Sequence, residues 1–306
     1  MDLIILFKAM IMGIVEGLTE FLPISSTGHL IIAGDLLDFM SEDRRGMFEV
    51  FIQLGAILAV CWEYRKKLIQ VLTGIGENPQ SMRFLGNLLI AFVPAGFMAF
   101  LFGTMIKEYL FSPVPVATAF ITGGFVIFWA ERRRHIVRIE DVSEMTWKDA
   151  LKVGFIQCLA LIPGTSRSGA TIIGGLFFGL SRRAATEFSF FLAIPTLTVA
   201  AVYDLFCHWK IFDTSMTWSL AVGFVVSFIS ALMAVRGLLR YISRHDFTAF
   251  AWYRSFWGNC VADGPLGYRK VVAWLKLVRR CEEAEMAFLH IFHAAAPSNH
   301  LEDSTI

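Results

Sequence analysis

Apolar runs of near-bilayer length, separated by short polar links, occupy the chain from its start to about residue 261. Residues 47–62, 84–103, 114–130, 184–203 and 218–235 each approach the roughly 20 positions that a helix needs to cross a bilayer, and 247–261 is a shorter sixth run. Two further apolar stretches are interrupted. Residues 3–22 run into Pro23, after which Ser25, Ser26 and Thr27 open a new helical stretch from about Gly28 to Leu37; residues 151–162 end at Pro163-Gly164, followed by 170–180. The basic residues set the orientation. Arg65 to Lys67, Arg132 to Arg138, Arg182, Arg183, Arg236, Arg240 and Arg244 are expected to share the cytoplasmic side. That count requires 151–180 to enter and leave from the cytoplasm, and 1–37 from the opposite face. The pattern predicts two half-depth hairpins that meet tip to tip.

The two interrupted stretches resemble each other. Gly13, Glu16, Pro23 and Ser26 align, with one gap, on Gly154, Gln157, Pro163 and Ser166, and Glu49 and Leu54 align on Glu187 and Leu192. Chance likeness between two apolar segments is the alternative. A repeat holding one hairpin and three spans is inverted relative to its partner, and inverted repeats with broken helices place an anion site near the midplane. Irregular backbone at that depth is tolerated around a cavity. The expected fold is an all-α polytopic membrane protein with about six transmembrane helices and two re-entrant helical hairpins in an inverted repeat. Residues 1–261 form its membrane domain (repeats at about 1–130 and 150–261), followed by a polar tail over 262–306.

Composition removes the soluble alternatives. Of 306 residues, 56% are hydrophobic and 17% charged, and the mean hydropathy is +0.60, too apolar for a soluble domain of this length. A net charge of +1 says nothing about partners by itself, and no nucleic-acid partner is expected. The five cysteines are scattered singly, without disulfide or zinc spacing. Asp2 ahead of the first apolar run, and two glutamates within it, argue against a signal peptide.

The candidate chemistry lies at the two breaks. Glu16 and Glu20 stand one turn apart on one helix face; buried like charges either share a proton or hold a cation. Ser25, Ser26 and Thr27 precede a helix N-terminus, a natural anion cradle. Ser26 is a candidate nucleophile, with His29 one turn on as its base; capping alone is the plainer alternative. His29 is either a packed core residue or a general acid/base. Arg167 is a buried guanidinium that needs an anion: a phosphate, or else one of the glutamates. Thr165, Ser166 and Ser168 add hydroxyl and backbone donors beside it, and Gly164 and Gly169 allow close backbone approach. Glu49, Gln53 and Glu187 are read as structural, and Asp204, Lys210 and Asp213 as a solvated loop.

The segments Glu16-Gly-Leu-Thr-Glu-Phe-Leu-Pro-Ile-Ser-Ser-Thr-Gly-His29 and Pro163-Gly-Thr-Ser-Arg-Ser-Gly-Ala-Thr171 resemble the two signatures of the bacitracin-resistance type undecaprenyl-diphosphatases. Residues 53–60 and 187–195 resemble further stretches of that family, and the likeness covers about 1–254. The resemblance implies an inner-membrane hydrolase that removes the terminal phosphate of undecaprenyl diphosphate, with magnesium or calcium as cofactor. It implies Glu16 and Glu20 as the acidic, metal-holding pair, Ser26 and His29 as the catalytic pair, and Arg167 as the diphosphate clamp. Ser25, Thr27, Thr165, Ser166 and Ser168 are the substrate-binding set. The expected partners are the lipid substrate and the membrane; a homodimer is an open alternative. A lipid-phosphate flippase is the rival reading, since the same architecture suits transport. From Ser255 onward the chain departs from the family pattern, and residues 270–292 are expected to form an amphipathic surface helix.

Overall fold

Each apolar run becomes a helix, and the breaks fall at the proline, glycine and hydroxyl clusters. The computed structural model describes residues 3–110, 113–208 and 214–262. Its α-helices are α1 (Leu3–Thr19), α2 (Ser26–Leu37), α3 (Glu42–Glu63), α4 (Arg65–Thr73), α5 (Pro79–Leu110) and α6 (Pro113–Arg132), then α7 (Trp147–Gln157), α8 (Arg167–Phe177), α9 (Arg182–His208), α10 (Thr217–Ile242) and α11 (Thr248–Ala262). The expectations for Lys210, Asp213 and the helix over 270–292 lie outside the described residues.

Among the described residues five helices, not six, are long and apolar enough to cross a membrane: α3, α5, α6, α9 and α10. The expected sixth span is α11, which has 15 residues. At 1.5 Å per residue its described part reaches roughly 22 Å.

The order of elements in the first half (α1, α2, α3, α5, α6) recurs in the second (α7, α8, α9, α10, α11), and the packing exchanges between them. Helix α1 lies along α10, α7 lies along α5, and α6 packs on α11. Each short, interrupted helix is thus held by a long helix of the other half. Small residues make the seams close, as expected where helices associate without a strong hydrophobic drive. On α1, Gly13 and Gly17 face Gly223, Ser227 and Ser230 of α10, and Ser230 Oγ donates to the Gly13 carbonyl at 3.2 Å. Gly154 of α7 sits against the Ala91 backbone of α5. The start of α7 is fixed by a reciprocal cap between Thr146 and Asp149. Arg83 and Asn87 of α5 both donate to the Met145 carbonyl at 2.9 Å, just ahead of it.

Basic residues at helix ends are tied to acids on neighbouring elements. Arg236 of α10 pairs with Glu63 at the end of α3 at 2.6 Å. Buried Glu131, at the end of α6, accepts from Arg182 at the start of α9 and from the Phe247 N–H, just before α11, at 3.0 Å. These contacts anchor Arg182 and Arg236 at helix ends.

The α1–α10 seam has no room for a methyl group. A Cβ on Gly17 would overlap the Ser227 carbonyl and Ser230 Oγ. Gly17→Ala is expected to cost about 1–3 kcal/mol through overpacking and to lower the thermal unfolding midpoint in detergent. Gly46→Ala, at an α3 position with nothing within 4 Å, is the control and is expected to unfold at or slightly above the parent temperature.

Candidate active site

The two breaks meet. After α1 the chain turns through Glu20 to Ser25 and enters α2. After α7 and a short 3-10 turn (Cys158–Leu161) it turns through Pro163 and enters α8. Ser25 is the N-cap of α2 with φ 71°, and Ser166 is the N-cap of α8, also with φ 71°. A serine in the left-handed region is uncommon, and such strain persists where the surroundings over-determine it. The shared geometry corrects the alignment read from sequence. Ser166 corresponds to Ser25, not to Ser26, because the second turn has one residue more after its proline. Ser26 and Arg167 therefore occupy the same place, the first residue of their respective helices.

Across that junction Ser26 Oγ donates to Glu20 Oε2 at 2.5 Å, and Glu20 Oε1 pairs with Arg167 Nη2 at 3.3 Å. All three side chains are buried or nearly so. Arg167 is held from behind, Nη1 donating to the Ser189 carbonyl at 2.8 Å and to Ser189 Oγ at 3.2 Å. Thr171 Oγ1 supports Ser189 Oγ at 2.7 Å. The Arg167 Nε–H has no partner and is buried. A cavity of about 150 Å3 opens here, with Glu20, Ser25, Ser26, Thr27, Ser166 and Arg167 on its polar side and Ile162 and Leu197 on its apolar side. Its mixed walls suit a polar head with an apolar attachment.

The remaining expected site residues are placed as follows. Ser168 lies outside the cavity wall; its Oγ donates to the Leu22 carbonyl at 2.7 Å and links the second turn to the first. Ser166 Oγ accepts the Gly169 N–H at 3.0 Å as a helix cap. The Thr165 carbonyl accepts from Arg254 at 2.8 Å. Gly164 takes φ +89°, and a Cβ there would meet the Val116 carbonyl at 2.6 Å, so the turn requires glycine.

His29 is not against Ser26 Oγ. Its Nδ1 hydrogen-bonds the Ser25 carbonyl at 2.7 Å and its Nε2 the Tyr253 hydroxyl at 2.9 Å. A carbonyl only accepts, so Nδ1 carries the proton, and in that neutral tautomer the Tyr253 hydroxyl donates to Nε2. The ring stacks on Tyr253 at 5.5 Å and lies 4.8 Å from Trp257. Three residues along a first helical turn suggest contact with Ser26, but both ring nitrogens are already engaged elsewhere.

Glu16 is 1% exposed, and neither of its carboxylate oxygens has a hydrogen-bond partner. The charged groups near enough to act on it are Glu20, Glu49 and Arg167. An orphaned, buried carboxylate beside a second one fits a hard cation. Among the described residues no three His, Cys, Asp or Glu side chains converge as a metal cage. Glu20 lines the cavity and Glu16 does not, so an ion held there would have at most these two carboxylates and would need water or phosphate oxygens to complete its shell.

Four residues important to this geometry were not singled out from sequence, Ser189, Tyr253, Arg254 and Trp257, and a fifth, Gln53, was read there as structural. Gln53 lines the cavity, although it reads as structural in the sequence. Arg254 had a signal. It is the lone charge in the apolar run 247–261, and the cost of an intramembrane charge that singles out Arg167 applies equally to it. Tyr253 and Ser189 had none, because nothing local distinguishes them from packing residues.

The family of the bacitracin resistance protein BacA matches residues 9–260. A protein of Rhodospirillum rubrum named undecaprenyl-diphosphatase 2 is 69% identical over 274 residues, 90% of this chain and 99% of its own length. Proteins named undecaprenyl-diphosphatase from Nitrosospira multiformis and Nitrosomonas europaea are 61% and 60% identical, each over 274 residues with the same coverage. The likeness is thus longer than the 254 residues assigned to it from the motifs.

Proposed function

The chain belongs to the bacitracin resistance protein BacA family, and from that membership and the geometry of its cavity we propose that it is an undecaprenyl-diphosphatase of the bacterial inner membrane. It is a multi-pass membrane enzyme that hydrolyses undecaprenyl diphosphate to the monophosphate and inorganic phosphate, which returns the lipid carrier to cell-wall synthesis and confers bacitracin resistance. The contact that carries the reading is the 2.5 Å hydrogen bond from Ser26 Oγ to Glu20 Oε2, a hydroxyl already aligned on a base within a cavity that Arg167 makes cationic.

In this reading Ser26 Oγ attacks the terminal phosphorus while Glu20 Oε2 accepts its proton. The bond from phosphorus to the bridging oxygen breaks, and the lipid monophosphate leaves. Glu20 passes that proton to the departing phosphate. Water then attacks the phosphoserine with Glu20 again as its base, the bond from phosphorus to Ser26 Oγ breaks, Oγ recovers the proton from Glu20 and inorganic phosphate is freed. Arg167, through its unpartnered Nε–H, and the N-termini of α2 and α8 stabilise charge on the transferring phosphoryl oxygens. Glu16 and Glu20 would hold magnesium or calcium, and that ion, when bound, supplies further neutralisation of the diphosphate. His29, occupied at both nitrogens, holds the Ser25 carbonyl in place of moving a proton. The hairpins α1–α2 and α7–α8 are read as half-depth elements from opposite leaflets; their touching turns and exchanged packing partners support that reading.

Ser26→Ala is expected to lower phosphate release from farnesyl diphosphate by about 10²–10⁴-fold, and chelation is expected to silence the parent enzyme until magnesium or calcium is restored. Retention of the parent rate by Ser26→Ala would remove the nucleophile. A flippase needs the anion cradle but no attacking group, so lipid transport surviving in that variant, with no phosphate release by the parent, would favour transport.

A further inference from the structure

Helix α11 places two consecutive residues, Tyr253 and Arg254, against both turns of the site. Arg254 is 1% exposed, and each of its five N–H groups meets a backbone carbonyl. Nη1 donates to Thr165 at 2.8 Å and Pro23 at 3.3 Å. Nη2 donates to Gly164 and Ala119, each at 3.0 Å, and Nε donates to Phe120 at 3.4 Å. One planar group thus ties the turn before α2, the turn before α8 and the body of α6. A buried guanidinium whose acceptors are all carbonyls is a costly way to add stability alone. A rigid fork of five donors, however, fixes the separation of three backbone segments at once. Tyr253 adds a second tie through His29 to the Ser25 carbonyl.

The two turns hold the reacting groups. Pro23 lies three residues before Ser26, and Gly164 three before Arg167. Nucleophile and cation come from different halves of the chain, so their distance depends on how firmly the turns are joined. We propose that Arg254 is a positioning residue that clamps the two half-sites together, setting Ser26 and Arg167 at the spacing of a single diphosphate, with Tyr253 and His29 as its auxiliary tie on the first turn. This rests on the hydrolase reading above.

The test uses the full chain in detergent with farnesyl diphosphate as probe, and rates are normalised to folded protein. Arg254→Lys keeps the charge, but one ammonium cannot reach carbonyls on three segments. Gly123→Ala leaves Arg254 intact and drives a methyl group into its head group. Both are expected to lower kcat about 10–100-fold with KM changed less than about threefold, since misplacement by about 1 Å can cost that much in rate. Tyr253→Phe is expected to shift kcat in the same direction by a smaller factor. If Arg254→Lys does not fold, Gly123→Ala carries the test. A parent-like kcat, a rise in KM alone, or a loss accounted for by the unfolded fraction would each overturn the clamp. No phosphate release by the parent chain would instead overturn the hydrolase reading.

Discussion

Glu20→Gln is expected to abolish turnover, with kcat falling by at least about 10³-fold, while the protein still binds a prenyl diphosphate analogue bridged by methylene. Besides the place proposed for it in holding the ion, the carboxylate does two jobs at once. Its Oε2 accepts Ser26 Oγ at 2.5 Å and its Oε1 faces Arg167 at 3.3 Å. An amide of the same shape fills the space but cannot take the Ser26 proton. It also leaves Arg167 without its counter-charge in a buried setting, where breaking an ion pair costs roughly 3–5 kcal/mol. The unfolding midpoint is therefore expected to fall as well, unless the diphosphate is present to act as the missing anion. Two measurements separate the effects: phosphate release per folded enzyme, and the melting shift caused by the analogue. That shift is expected to be larger in the variant than in the parent. A variant that retains more than a tenth of the parent kcat would show that another group is the base.

Arg167→Lys is expected to act mainly on KM, raising it by about 10–100-fold, in line with about 1.5–3 kcal/mol for a hydrogen bond to a charged group. The guanidinium is divided in purpose. Two of its nitrogens are bound to Ser189 and Glu20, its Nε–H is buried and unpartnered, and the residue lines the cavity. A lysine ammonium can satisfy either the Ser189 side or the phosphate, not both, because it lacks the planar fork. Arg167→Met is expected to be worse, leaving Glu20 uncompensated next to Glu16. Kinetics of the folded Lys variant decide the matter. An unchanged KM would mean that Arg167 serves Glu20 alone and does not reach the substrate.

Much of this site was legible in the chain before any fold was known. The cost of burying charge marks Glu16, Glu20 and Arg167 in otherwise apolar segments. The proline and hydroxyl clusters mark where α1 and α7 break, within a few residues of the observed ends. What misled was local proximity. His29 is three residues from Ser26, yet its ring goes to Tyr253, 224 residues away. A histidine's direction from a helix depends on what packs against that face, and here it is α11. The repeat was visible, but its register was one residue out, because matching the prolines ignores which serine takes the left-handed cap.

The order of helices and breaks, the gathering of most charge at helix ends and the two polar turns, and the chemical character of those turns follow from sequence, since they depend on periodicity, capping and the free energy of placing charge in hydrocarbon. The assignment of Glu20 to both Ser26 and Arg167, the diversion of His29, and the joining of the turns through Arg254 arose in tertiary structure. These join groups up to 231 residues apart, and such distances close only when small-residue seams let α1 settle on α10 and α7 on α5.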